Sequence, residues 1–140
     1  MPSRIRLERS VGFRAHHRLA LPGRTDAENR RQFGWTADPH SHQYRCTVTV
    51  EAELRDDEAM AIDLPWLDRW LAAAVVARFD GRHLHRDIPE LATIPTTCEA
   101  IARVIFRQLA DLLPGPARLV SVRIAEDDTL AAECLGDSSG

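Results

Sequence analysis

The chain has 140 residues, a formal net charge of -3 and a pI of about 6.0, with 44% hydrophobic and 28% charged residues, which fits one soluble globular domain and argues against a basic nucleic-acid surface. All 18 positive side chains are arginine, which excludes a Schiff-base or P-loop lysine. Cys46, Cys98 and Cys134 are odd in number, far apart and in no C-x-x-C spacing, so free thiols in a reducing cytoplasm are expected, and no apolar run or leader-like segment predicts a membrane partner.

From Arg4 to Leu19 polar and apolar residues alternate. Val11, Phe13, Ala15, His17 and Leu19 share one face, while Arg14, His16 and Arg18 share the other, which predicts a half-buried strand. His17 is therefore either a core histidine or a buried metal ligand, and His16 faces solvent. Leu21 to Gln32 is polar and holds Pro22, Gly23, Asp26 and Asn29. It reads as a long loop with at most a helical turn at Ala27 to Gln32.

The stretch FGWTADPHSHQYRCTVTVEAEL, Phe33 to Leu54, begins as a loop and becomes a strand with β-branched residues at alternate positions. Residues two apart on a strand face the same side, so His40 and His42 point together at its mouth. Two imidazoles on a stiff element can hold a divalent metal, but zinc requires a further protein ligand. His17 is the candidate third ligand. The two strands should pair antiparallel.

Asp63-Leu64-Pro65 signals a helix start, and Leu67, Trp70, Leu71, Ala74, Val75 and Phe79 give Trp66 to Phe79 an apolar stripe. That helix should stop before Asp80-Gly81, and Arg82 to Pro95 should be irregular. A second helix begins at Thr96 or Thr97, where Thr96 and Glu99 fit a capping box. Its stripe is Ile101, Val104, Ile105, Leu109 and Leu112, and Pro114-Gly115 should end it. Leu119 to Ile124 and Leu130 to Cys134 predict two more strands about a turn at Asp127-Asp128. Residues 1–136 then form one domain, with Asp137 to Gly140 a disordered tail. The order ββααββ predicts an α+β layer, an antiparallel four-stranded sheet with two helices on one face. Such a sheet leaves strand edges open, which predicts pairing between subunits.

Motifs in this order resemble one family over Val11 to Gly136. Phe13-Arg14-Ala15-His16-His17-Arg18-Leu19 resembles its F-x-A-x-H-R-L, and His40-Ser41-His42-Gln43-Tyr44 resembles its H-G-H-N-Y. Asp80, Leu84 and Asp87-Ile88-Pro89 are similar to the loop after its first helix. Thr96-Thr97 with Glu99 resembles a T-T-E helix start, and Val122, Ile124 and Glu126 resemble its penultimate strand. The family is that of the 6-pyruvoyl-tetrahydropterin synthases and their bacterial relatives, the 6-carboxytetrahydropterin synthases. The resemblance implies a tunnelling fold assembled as a homohexamer or other ring. It implies zinc (Zn2+) on His17, His40 and His42, with the metal polarising the side-chain oxygens of a reduced pterin. It also implies that Glu126 accepts two N–H bonds from the amino-pyrimidine edge.

The pattern departs from the family at its proton relay. Thr36 stands where a loop cysteine is expected, and Cys46 lies too deep in the strand to replace it. Asp80 is present, but Gly81 follows it where a histidine is expected. A threonine hydroxyl is too weak an acid to stand in for the thiolate. Asp38 is an alternative base, or simply a turn residue before Pro39. His83, with His85 behind it, is the nearest imidazole to partner Asp80. Thr96-Thr97-Cys98-Glu99 is one residue longer than T-T-E, so which threonine meets a ligand is open; Thr97 and Glu99 are the candidate ligand contacts, and Glu99 is alternatively only a cap. Three readings follow. They are a zinc-dependent lyase acting on a reduced pterin with a rewired relay, a repurposed metal-dependent cyclase or aldol-type lyase, and a metal- or pterin-binding assembly protein without catalysis.

Overall fold

The computed structural model describes residues 1–113 and 115–138. Strands β1 (Ser3–His17) and β2 (His40–Leu54) pair antiparallel along their whole length, from Ser3 opposite Leu54 to His17 opposite His40. Strands β3 (Arg118–Ala125) and β4 (Ala131–Cys134) continue the sheet in the order β1-β2-β3-β4, every pair antiparallel. The inner face carries Phe13, Ala15, Tyr44, Cys46, Val48, Val122 and Ile124, all buried. The two-residue period of each strand puts those side chains on one face, where their burial drives the sheet against the helices. A register shift between Thr49 and Val50 interrupts the β2–β3 ladder. Strand β1 stops at His17, short of the expected Leu19, because the Leu19 N–H donates to the Thr36 carbonyl rather than to β2.

The polar stretch after β1 is a genuine helix, α1 (Asp26–Phe33), and not a loop with a single turn. Its cause is local. The Thr25 hydroxyl accepts the Glu28 N–H, and the Glu28 carboxylate accepts the Thr25 N–H, a complete capping box. Only Asn29 of this helix is buried, and its Oδ1 accepts the Leu21 N–H. A helix without an apolar stripe escapes a reading based on hydrophobic period.

Leu64–Leu71, Ala72–Val76 and Ala77–Phe79 run on as one helix, α2 (residues 64–79), N-capped by Asp63 and with a π turn at Ala72–Val76. Leu67, Leu71, Val75 and Phe79 are fully buried and spaced by four. In a pure α-helix a four-residue repeat drifts by about 40° per step. The wider π turn takes up that drift and keeps Phe79 on the sheet side.

Helix α3 (Cys98–Leu109) is capped by Thr97, whose hydroxyl accepts the Ala100 N–H. The expected capping box between Thr96 and Glu99 is therefore not formed: the cap lies one residue later, Glu99 is exposed, and Thr96 is buried for another purpose. Ile101, Val104, Ile105 and Leu109 are buried as expected, but Leu112 lies beyond the helix and is 52% exposed. Of the expected Pro114-Gly115 stop, Pro114 lies outside the described residues.

Between the two long helices, single turns at Leu84–Asp87 and Pro89–Leu91 bury Leu84, Ile88 and Leu91. The start of this segment lies along the edge of β1: the Gly81 N–H donates to Arg14 and the His16 N–H donates to Arg82. In the expected tail, Asp137 is held by the Arg107 guanidinium at 2.9 Å, while Ser139 and Gly140 lie outside the described residues.

Candidate metal centre

The antiparallel register brings the three expected ligands together. His17 sits opposite His40, and Ala15 opposite His42, so one pleat on the inner face carries all three imidazoles. Their ring centroids are 4.5 Å apart for His17–His40, 4.9 Å for His17–His42 and 4.9 Å for His40–His42. One ligand nitrogen from each ring lies within 4.8 Å of the others, and among the described residues this is the group with metal-binding geometry.

Backbone carbonyls fix two of the rings. His17 Nδ1 donates to the Thr96 carbonyl at 2.8 Å, and His40 Nδ1 donates to the Asp38 carbonyl at 2.7 Å. A carbonyl can only accept, so the proton is on Nδ1 and the lone pair is on Nε2. Nε2 of His17 and Nε2 of His42 are buried without a hydrogen-bond partner. Buried polar atoms are rarely left so. Three nitrogen donors, two of them bare and buried, fit a zinc-type divalent ion that keeps one further coordination position.

Burial favours the neutral form of the His17 imidazole. Burial pushes the His17 pKa down from 6.5 to about 4, only partly offset by its bond to Thr96, and charge on His40, His42 or His85 would push it further down. A neutral imidazole is the metal-binding form. On the far side of the site the Glu126 carboxylate approaches, with Oε2 3.3 Å from His42 Nε2 and 3.9 Å from His17 Nε2. Tyr44, stacked on Phe13 at 5.2 Å, closes the floor with a buried and unpartnered hydroxyl, and burial raises its pKa.

Within the chain the side chains of the expected relay residues are held by other partners. The Thr36 hydroxyl donates to the Phe33 carbonyl at 2.6 Å, closing the turn Gly34–Ala37. The Asp38 carboxylate is paired with Arg30 at 2.9 Å, and its carbonyl accepts from His40 Nδ1. Asp80 is exposed, and its Oδ1 accepts the Arg14 N–H at 2.9 Å. His83 stacks on His16 with centroids 4.7 Å apart, on the side of β1 away from His17. The hydroxyl of Thr97 caps α3, and Glu99 is exposed.

Three contributors escaped the sequence reading. Thr96 supplies the carbonyl that orients His17, although the motif Thr96-Thr97 was visible. Trp35 lies 5.0 Å from the His40 ring and is 68% exposed; no local pattern marks it. Cys98, at the first turn of α3, is buried beside Glu126, and burial with that carboxylate's charge pushes its thiol up to about 12.

A family model described as 6-pyruvoyl tetrahydropterin synthase matches residues 6–137. Two proteins named 6-pyruvoyl tetrahydrobiopterin synthase, from Pongo abelii and Homo sapiens, are each 32% identical over 124 residues, 87% of this chain and 85% of theirs. The solved structure of Caenorhabditis elegans 6-pyruvoyl tetrahydropterin synthase superposes with a TM-score of 0.86 at 28% identity, covering 96% of this chain and 97% of that one. The Plasmodium falciparum structure of the same name superposes at 0.66 with 17% identity, a likeness of fold. The four-stranded antiparallel sheet with its helices is thus the tunnelling fold that the sequence motifs implied.

Proposed function

The chain belongs to the 6-pyruvoyl tetrahydropterin synthase family, and on that footing we propose that it is a zinc-dependent lyase acting on a reduced pterin or a closely related small molecule. The observation that carries this reading is the convergence of His17, His40 and His42, with two bare Nε2 atoms, beside the Glu126 carboxylate. When bound, a divalent ion supplies Lewis acidity toward substrate oxygens. The residues of the chain supply the rest. His17 Nδ1 on Thr96 and His40 Nδ1 on Asp38 hold the rings in the metal-binding tautomer. Glu126 accepts paired N–H groups from the amino-pyrimidine edge of the ligand. Thr97 and Glu99 stand at the start of α3 as further candidates for ligand contact.

The proton relay is the rewired part. Asp80 and His83 are engaged along the β1 edge of their own chain. We assign them to the metal centre of a neighbouring copy, in a ring of subunits that pairs the open edges of the sheet. Asp80 there is the base and His83 the imidazole partner that completes an acid–base pair. Three free cysteines support a reducing, cytoplasmic setting.

A second reading rests on Thr36 and Gly81, which occupy the positions where the relay cysteine and histidine were expected. It makes the protein a repurposed metal-dependent cyclase or aldol-type lyase, or a binding protein without catalysis. Incubation of the zinc-loaded protein with dihydroneopterin triphosphate, with products followed by mass spectrometry, separates these. Loss of triphosphate or of a carbon fragment supports the pterin lyase. Unchanged substrate over many equivalents of enzyme removes it in favour of the second reading.

A further inference from the structure

The face of the sheet turned away from the buried core is polar, and three arginines cross it on one diagonal. The register sets this. Arg14 of β1 is opposite Gln43, Arg45 of β2 is opposite both Gly12 and Ala125, and Arg123 of β3 is opposite Thr47. Diagonal neighbours in a sheet stand about 7–8 Å apart, within reach of long side chains. Arg45 projects from this face because its neighbours Tyr44 and Cys46 are buried on the other. Arg14 turns its guanidinium to the Ser41 hydroxyl at 3.1 Å. Among the described residues Arg45 and Arg123 have no ion-pair or side-chain hydrogen-bond partner, whereas Arg6, Arg9, Arg30, Arg78 and Arg107 are each paired with a carboxylate.

Small residues keep the space around them open. Gly12 and Ala125 flank Arg45 on its two neighbouring strands. A Cβ on Gly12 would stand 3.0 Å from Gln43 Nε2, so the glycine leaves room for that amide over the strand. Arg45, Arg123, Gln43 and Ser10 line the resulting cavity of about 460 Å³. Asp127 and Asp128 also line it. Asp127 is committed to its own turn, where Oδ1 accepts the N–H groups of Thr129 and Leu130 and the Thr129 hydroxyl. Asp128 is exposed.

We propose that this cavity is a binding site for a polyphosphate anion, held by Arg45 and Arg123 with Gln43 Nε2 as a further donor. The proposal goes beyond the lyase reading and does not depend on it, because the three histidines project from the opposite face of the sheet, with Ala15 and Tyr44. A guanidinium matches phosphate oxygens with two parallel N–H bonds. Two guanidiniums on adjacent strands therefore suit a chain of phosphates better than a single one. Asp128 opposes every anion there, which favours one carrying several charges over one carrying a single charge.

Calorimetric titration of the metal-free protein with sodium tripolyphosphate at low ionic strength tests this, and the absence of metal keeps the anion off any bound ion. One saturable event per chain is expected, weakened by added salt. Arg45→Gln and Arg123→Gln should each bind roughly ten-fold or more weakly. Asp128→Asn should bind more tightly, a gain that a misfolded variant cannot give. Arg103→Gln removes the same charge from an exposed position on α3 and should bind as the wild type does. Equal losses in Arg103→Gln and Arg45→Gln would reduce the effect to net charge and overturn the proposal. A wild-type chain that takes up no tripolyphosphate would overturn it as well. Orthophosphate should bind more weakly than tripolyphosphate; equal affinities would overturn the span across two arginines. Adenosine triphosphate distinguishes the source. Binding tighter than that of tripolyphosphate sustains the site as a seat for the phosphate tail of a larger molecule, and weaker binding sustains it as a seat for the free anion. Failure of the pterin turnover assay leaves each of these outcomes as it stands.

Discussion

The His17 ring and the Thr96 carbonyl meet at 2.8 Å, buried from water and 79 positions apart in the chain. This contact ties the His17 end of β1 to the residue just before the cap of α3. The Thr96 hydroxyl adds a bond to the Arg18 carbonyl at 3.1 Å. Thr96→Val removes that donor while leaving the carbonyl in place. Chemical denaturation should show a loss of about 1–2 kcal/mol, and metal stoichiometry should stay unchanged. Loss of metal at unchanged stability would show that the hydroxyl, not the carbonyl, orients His17.

The depressed pKa of His17 makes a stability prediction for the metal-free protein. Its folded value of about 4 lies below the ordinary 6.5, so between these values the unfolded chain binds more protons. Stability then rises with pH across that window and is flat above it. The contribution lost on acidification from 6.5 to 4 is on the order of 3 kcal/mol. Urea titrations at several pH values test this, and His17→Gln should flatten the slope. An equal slope in that variant would assign the effect to other groups.

Thiol reactivity should separate the three cysteines. Cys46 and Cys98 are buried, and burial pushes both thiols up to about 12. Cys134, on β4, is only half-buried. A thiol reagent at neutral pH should therefore modify Cys134 first in native protein and all three after denaturation. Rapid native labelling of Cys98 would mean that the floor beneath Glu126 opens readily.

Asp80→Asn should lower kcat by about 10²–10⁴ if Asp80 is the relay base, with metal content unchanged. Asparagine keeps an oxygen to accept the Arg14 N–H, so the edge of β1 should hold. His83→Ala should act in the same direction more weakly. Full activity in Asp80→Asn would leave the relay to other groups.

Assembly decides whether those residues reach a metal at all. Light scattering at micromolar concentration should find a closed ring of subunits, which would pair the β4 edge and the part of the β1 edge that residues 81–83 leave uncovered. A stable monomer would remove the assignment of Asp80 and His83 to a neighbouring metal centre.

The strands and the three histidines that could hold a metal were legible in the sequence. Alternation separated His17 from its neighbour His16, and the two-residue spacing of His40 and His42 aimed both at one side; each is a period that the backbone imposes before any tertiary contact forms. The stripes of the two long helices were legible for the same reason. Helix α1 was not, because capping by Thr25 and Glu28, rather than an apolar stripe, stabilises it. The cap of α3 was misplaced by one residue because Thr96 and Thr97 are chemically equal locally. Only the fold spends one on the helix and the other on His17.

What the sequence by itself determined is the set of side chains on each face: the three histidines, the buried stripes and the acidic residue closing β3. What only the tertiary structure decided is which groups meet across the chain. It gave Asp38 to Arg30, stacked His83 on His16, placed Asp80 against the Arg14 backbone, and brought Glu126 within 3.3 Å of His42. Periodicity fixes direction along one element, whereas the strand register and the packing of helices on the sheet fix distance between elements, and chemistry at a metal depends on distance.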